Sequence, residues 1–166
     1  MKKEIMKVIN DYDKALTLLD CYDHQCIEKP KGKKEVYRLE YDECRKLIDL
    51  MRFDSPLFGL EKDGSFASSI NAIYQSAFGE DVYQTGIEKA ANLLYFVTKN
   101  HSFADGNKRI AASLFLYFLD KNNLLYKDGM KTFSDEALVA TTILIAESRP
   151  EEKDTIIKLI MNFLSF

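Results

Sequence analysis

The chain has 166 residues, of which 46% are hydrophobic and 30% charged, with a formal net charge of −3. That length suits one domain with a sizeable core, or one domain with a helical appendage, and the composition is that of a globular rather than a disordered chain. The acidic balance argues against a general nucleic-acid binder, which carries a basic excess, and no run of about 18 uncharged apolar residues is present to span a membrane.

The first ten residues, from Met1 to Asn10, carry charge among their apolar positions and lack a signal-peptide core, so a cytoplasmic protein is expected. From about Lys3 to Ile27, the spacing of Ile5, Val8, Ile9, Tyr12, Leu16 and Leu19 predicts an amphipathic helix. The segment Glu28 to Glu35 is basic, holds Pro30 and Gly32, and reads as a solvated linker. Cys44, Leu47, Ile48 and Met51 predict a second helix from about Tyr41 to Phe53, which could form a hairpin with the first or an arm toward a partner. Cys21, Cys26 and Cys44 show no Cys-x-x-Cys spacing, so neither a disulfide framework nor a zinc site is expected, and all three read as buried or partly buried thiols. His24 beside Cys21 has no further ligand pair near it.

Between Phe53 and Phe66, turn residues flank a short apolar run, which reads equally as a short exposed strand or as a plain loop. A helix follows from Ser69 to Phe78. Thr85-Gly-Ile-Glu88 is a capping box, and Ile87, Ala90, Ala91, Leu94 and Val97 continue it as a helix to about Asn100. The helix after the next loop starts near Asn107 and carries Ile110, Leu114 and Phe118. Ser134 caps a further helix with acids in its first turn. Pro150 opens a last one that buries Ile156, Leu159, Ile160 and Phe163.

The loop between the two central helices carries the chemistry. His101-Ser-Phe-Ala-Asp-Gly-Asn-Lys-Arg109 places a base, an acid, a glycine, an amide and an arginine in nine residues. At average residue usage, His-x-Phe-x-acid-x-Asn-x-Arg arises by chance in on the order of a few windows per ten million. Free backbone N–H groups at the start of the second helix favour an anion in this loop. Gly106 lets the backbone approach that anion, and Arg109 can grip two of its oxygens as a fork. Asp105 suits Mg²⁺, which reaches proteins through one or two carboxylates plus phosphate oxygens. His101 is the candidate general base.

These residues resemble the Fic/Doc family, whose signature reads His-x-Phe-x-(Asp or Glu)-Gly-Asn-(Gly or Lys)-Arg, and the likeness extends from roughly Leu57 to Leu125. The resemblance implies an all-α fold: a Fic-type helical core at 54–166 with a short β-hairpin flap before the Ser69 helix, and an N-terminal helical extension at 1–53. It implies that His101 deprotonates a Ser, Thr or Tyr hydroxyl of a target protein. Asp105 would hold Mg²⁺ on the phosphates of a nucleoside triphosphate, ATP, while Gly106, Asn107, Lys108 and Arg109 line the phosphate site and Phe103 anchors the loop. Members that transfer AMP have glycine where this chain has Lys108, and commonly a second arginine where it has Ala112. The Asn-Lys-Arg form is similar to the Doc branch, associated with transfer of a terminal phosphate. Ser148 to Glu152 and Thr132 to Glu136 share the spacing of the family's inhibitory helix but lack its closing Gly or Asn. Control by a separate antitoxin or other inhibitory partner, or no inhibition at all, stays open.

Overall fold

Helix dominates, as the periodicities predict. The structure is a computed structural model that describes residues 1–51 and 53–166. Among them lie α1 (Lys2–Asp11), α2 (Asp13–Asp23), α3 (Tyr41–Leu50), α4 (Ser65–Ala72), α5 (Gly86–Asn100), α6 (Asn107–Lys121), α7 (Asp135–Glu147) and α8 (Lys153–Leu164). Two small antiparallel hairpins complete the all-α architecture: β1 (Ser76–Ala77) with β2 (Glu80–Asp81), and β3 (Tyr126–Lys127) with β4 (Met130–Lys131). Their turns run through Phe78-Gly79 and Asp128-Gly129, all four residues at positive φ, the conformation that tight hairpins require.

The centre is α5. From Gly86 to Tyr95 every residue is buried, and α4, α6, α7 and α8 pack around the helix. A helix enclosed on all sides has no polar face to give to solvent, so its few polar residues need partners. Lys89 is fully buried and meets Glu35 Oε2 at 2.7 Å, Asp81 Oδ2 at 3.0 Å and the Tyr83 carbonyl at 2.6 Å. Apart from half-buried Pro30 and Glu35, residues 28–35 are exposed, as expected of a solvated linker, but the segment is also tied to the core. A buried ammonium needs counter-charges, and the segment supplies one while Lys33 O accepts from Gly86 N and Lys29 pairs with Glu88. Half of the expected capping box of α5 forms: Thr85 Oγ1 accepts from Glu88 N at 3.2 Å, while Glu88 Oε1 accepts from Gln84 N at 3.1 Å rather than from Thr85 N.

Packed on α5, α6 buries Ile110, Leu114, Phe115, Phe118 and Leu119. Its C-terminal Asn122 accepts from both Val36 N and Tyr37 N at 2.8 Å, tying the approach to α3 onto it. Glu43 of α3 accepts from Tyr37 and Tyr117 hydroxyls. Cys44 and Ile48 enter the same core, where burial pushes the Cys44 thiol up to about 12. In α8 the buried stripe is Ile156, Ile157, Ile160, Met161 and Leu164, with Leu159 and Phe163 only half-buried, a slight rotation from the expected face.

Three further expectations change. The helix expected at 69–78 starts at Ser65 and ends at Ala72, because β1 and β2 take up 76–81. The single N-terminal helix is divided at Tyr12, and neither half buries a residue, leaving Ile5, Val8, Ile9, Tyr12, Leu16 and Leu19 exposed. Cys26 is exposed rather than partly buried.

Candidate active site

The loop from His101 to Gly106 joins the C-terminus of α5 to the N-terminus of α6, and its two faces differ. On the inner face Phe103 is fully buried, edge-on to Phe66 with ring centroids 4.7 Å apart. Asn107 is also buried and closes a ring on the loop: its Oδ1 accepts from Phe103 N at 3.0 Å, and its Nδ2 donates to Phe103 O at 2.9 Å. That satisfies two main-chain groups that burial would otherwise leave unpaired. The side chain of Asn107 is thus consumed inside the loop, and what it has left for an anion is its main-chain N–H.

Gly106 has φ +93°, and a Cβ there would lie 2.4 Å from Cε2 of Phe58. Backbone conformation and contact both demand glycine. It precedes α6, whose first amide bonded back is Ile110 N, to Gly106 O at 2.8 Å. The N–H groups of Asn107, Lys108 and Arg109 have no acceptor among the described residues, the arrangement that favours an anion at a helix start.

On the outer face stand His101, Asp105, Lys108 and Arg109. His101 ends α5 in a left-handed conformation, φ 50° and ψ 49°, which turns the chain and leaves its ring exposed. Arg109 Nη2 donates to both oxygens of Asp105, at 3.1 and 3.2 Å. Its guanidinium lies over the rings of Phe53, 4.4 Å from the centroid, and Phe58, at 4.9 Å. Those two rings lie 4.8 Å apart, tilted by 32° to each other. They hold the fork beside the loop, and since arginine stacks on aromatic faces through its planar group, lysine would not substitute there. Lys108 is exposed, and Ala112 is half-buried on α6.

The segment before α4, where the resemblance placed a hairpin flap, forms no ladder of its own. It pairs with the loop: Gly59 N donates to Asp105 O, Ala104 N to Leu60 O, and Lys62 N to Ser102 O, at 3.1, 2.8 and 2.9 Å. Gly59 O accepts from Arg45 Nη1 at 3.0 Å. Most of the edge that could have paired with an extended target is therefore already occupied. The pairing also brings Lys62 Nζ to 3.1 Å from His101 Nδ1. Sequence reasoning missed Phe53, Phe58 and Lys62, whose only signal was an apolar and basic composition about forty residues from the motif.

Over residues 37–119 the chain matches the family model described as Fic/DOC family. The chain belongs to the Fic/DOC family. No curated protein and no solved structure matches it. Membership points to transfer of a nucleotide-derived group to a protein target. In this Fic/DOC chain the half-exposed carboxylate of Asp105 is compatible with Mg²⁺, which keeps several waters and needs only one or two protein carboxylates. Among the described residues no cluster of three or more His, Cys, Asp or Glu could form a metal cage, and no helix is long and apolar enough to cross a membrane. The two stretches with inhibitory-helix spacing are engaged elsewhere or exposed: Glu152 Oε1 accepts from Arg149 N at 2.9 Å, and Glu136 faces solvent.

Proposed function

We propose that the chain is a cytoplasmic transferase that moves the terminal phosphate of ATP onto a Ser, Thr or Tyr hydroxyl of a protein. What supports this most is the gathering of a base, a carboxylate, an arginine fork and three open amides on the outer face of a single braced loop. His101 takes the proton of the target hydroxyl. The hydroxyl oxygen forms its bond to the γ-phosphorus while the bond from that phosphorus to the β–γ bridging oxygen breaks, and ADP leaves with the electron pair. The amides of Asn107, Lys108 and Arg109, the Arg109 fork and the Lys108 charge hold the phosphates in line. Asp105 would hold Mg²⁺, which when bound offsets phosphate charge. Lys108 and Ala112 favour the terminal phosphate over AMP, since both alter the donor set that AMP-transferring members use.

The division into an N-terminal extension (1–53) and a catalytic domain (54–166) belongs to the same proposal. With it go the readings that the N-terminal helices form an arm toward a partner and that a separate antitoxin or other inhibitory partner serves control. Across that division α3 lends Cys44 and Ile48 to the core.

The deciding experiment incubates the protein and lysate with ATP labelled at the α or the γ position. γ-label alone, with a gain of about 80 Da in the modified target, is the expected result. α-label with the mass of a nucleotide would assign AMP transfer. No label from either, with no ATP binding, would make the chain an inactive interaction module.

A further inference from the structure

We infer that Lys62 is a phosphate ligand of this site, binding the phosphate under attack and leaving His101 in order to do so. The inference rests on the phosphotransfer reading and adds a residue from outside the motif.

Lys62 Nζ lies 3.1 Å from His101 Nδ1. An ammonium has three donors and no acceptor, so the ring nitrogen must be the acceptor, and a neutral imidazole then carries its proton on Nε2. In that arrangement neither ring nitrogen has a lone pair free for a hydroxyl proton. Base and cation cannot both act until they part.

The cost of parting is small. Both side chains are exposed, and interactions between exposed polar groups contribute little. A phosphoryl group carries charged oxygens, so on reaching it the ammonium exchanges a neutral acceptor for an anionic one and gains the attraction of opposite charges. Main-chain bonds from Lys62 N to Ser102 O and from Ala104 N to Leu60 O fix the lysine backbone against the loop. Rotation of the side chain alone therefore moves the charge from the ring to a phosphate beside it. Arg109 shows the same logic, resting on Asp105, the carboxylate assigned to the metal. Each of these two cations occupies a group the reaction needs, and an arriving anion competes for both. Lys62 also supplies, beside His101, positive charge that Ala112 does not.

Calorimetry with ATP, ADP and AMP in Mg²⁺ buffer on wild type, Lys62→Ala, Lys62→Arg and Arg109→Ala tests this. Lys62→Ala is expected to lower ATP affinity about tenfold, the size of one charge-assisted hydrogen bond, with ADP unchanged and Lys62→Arg recovering most of the affinity. Nitrogen NMR of the His101 ring should show Nδ1 released on adding ATP to wild type, and already released in Lys62→Ala. Equal weakening for ATP, ADP and AMP would keep Lys62 as a ligand but place it on the α-phosphate, overturning its assignment to the phosphate under attack. Unchanged ATP affinity in Lys62→Ala, with wild type and Arg109→Ala differing, overturns the inference and leaves the phosphotransfer reading standing. Failure of wild type to bind ATP overturns both.

Discussion

The inner and outer faces of the His101–Arg109 loop follow opposite rules although their residues alternate in sequence. Phe103 and Asn107 are buried, and the Asn107 amide is spent on the main chain of Phe103 within the loop. His101, Asp105 and Arg109 are exposed or half-exposed and rest on weak partners that can be exchanged. A site that must hold a multiply charged ligand in one geometry needs both: a frame that does not move and donors that are free to change partner. The frame determines stability and the donors determine rate, so a donor on the outer face should be removable without loss of stability, whereas a loosened frame should cost stability first and ligand affinity with it.

The largest effects should come from one residue on each face. Phe103→Ala removes a fully buried ring and is expected to cost about 3–5 kcal/mol of unfolding free energy, measured by chemical denaturation. His101→Ala should leave the denaturation curve unchanged while lowering transfer by roughly 10²- to 10⁴-fold, the usual range for removal of a general base. A His101 variant that unfolds early, or one that turns over normally, would break the division between frame and donors.

How far this division could be read from sequence varies by residue. The boundaries of α5 and α6 and the caps at Thr85 and Ser134 were legible because capping and 3.6-residue periodicity are local. The inward turn of Asn107 was not, since a motif string says that an amide is present and not which way it points. Lys62, Phe53 and Phe58 were illegible for another reason: they reach the site through main-chain pairing between segments about forty residues apart, and no local pattern encodes that. The linker was legible only in part: its lysines and glycine are exposed, as they read, but nothing local shows that Glu35 answers a buried Lys89 that lies far along the chain.

Intermediate effects test the frame in finer detail. Asn107→Ala leaves Phe103 N–H and C=O buried without partners, at about 1–3 kcal/mol for each unsatisfied group, and should lower ATP affinity as the loop loosens. Gly106→Ala combines a positive φ, worth about 1–2 kcal/mol for a residue with a Cβ, with displacement of the Phe58 ring. Because Phe58 also supports Arg109, this variant should show reduced stability and reduced ATP affinity together. Reduced stability with affinity intact would show that Phe58 does not position the fork.

The smallest effect is expected at Lys108. Its side chain is exposed on the first turn of α6, so Lys108→Ala should change unfolding free energy by less than about 0.5 kcal/mol. As an outer-face donor it adds charge near the phosphates but shares that task with three open amides and the Arg109 fork. An exposed pair contributes up to about 1 kcal/mol, so ATP affinity should fall about fivefold or less, and the difference should shrink as salt is raised because exposed charges are screened. Titrations of wild type and Lys108→Ala at low and high salt read this directly. A drop of about a hundredfold that is insensitive to salt would mean that Lys108 is desolvated against the phosphate chain when ATP binds. It would then be a fixed part of the cradle, and the difference from glycine-bearing family members would lie in this side chain rather than in the backbone it covers.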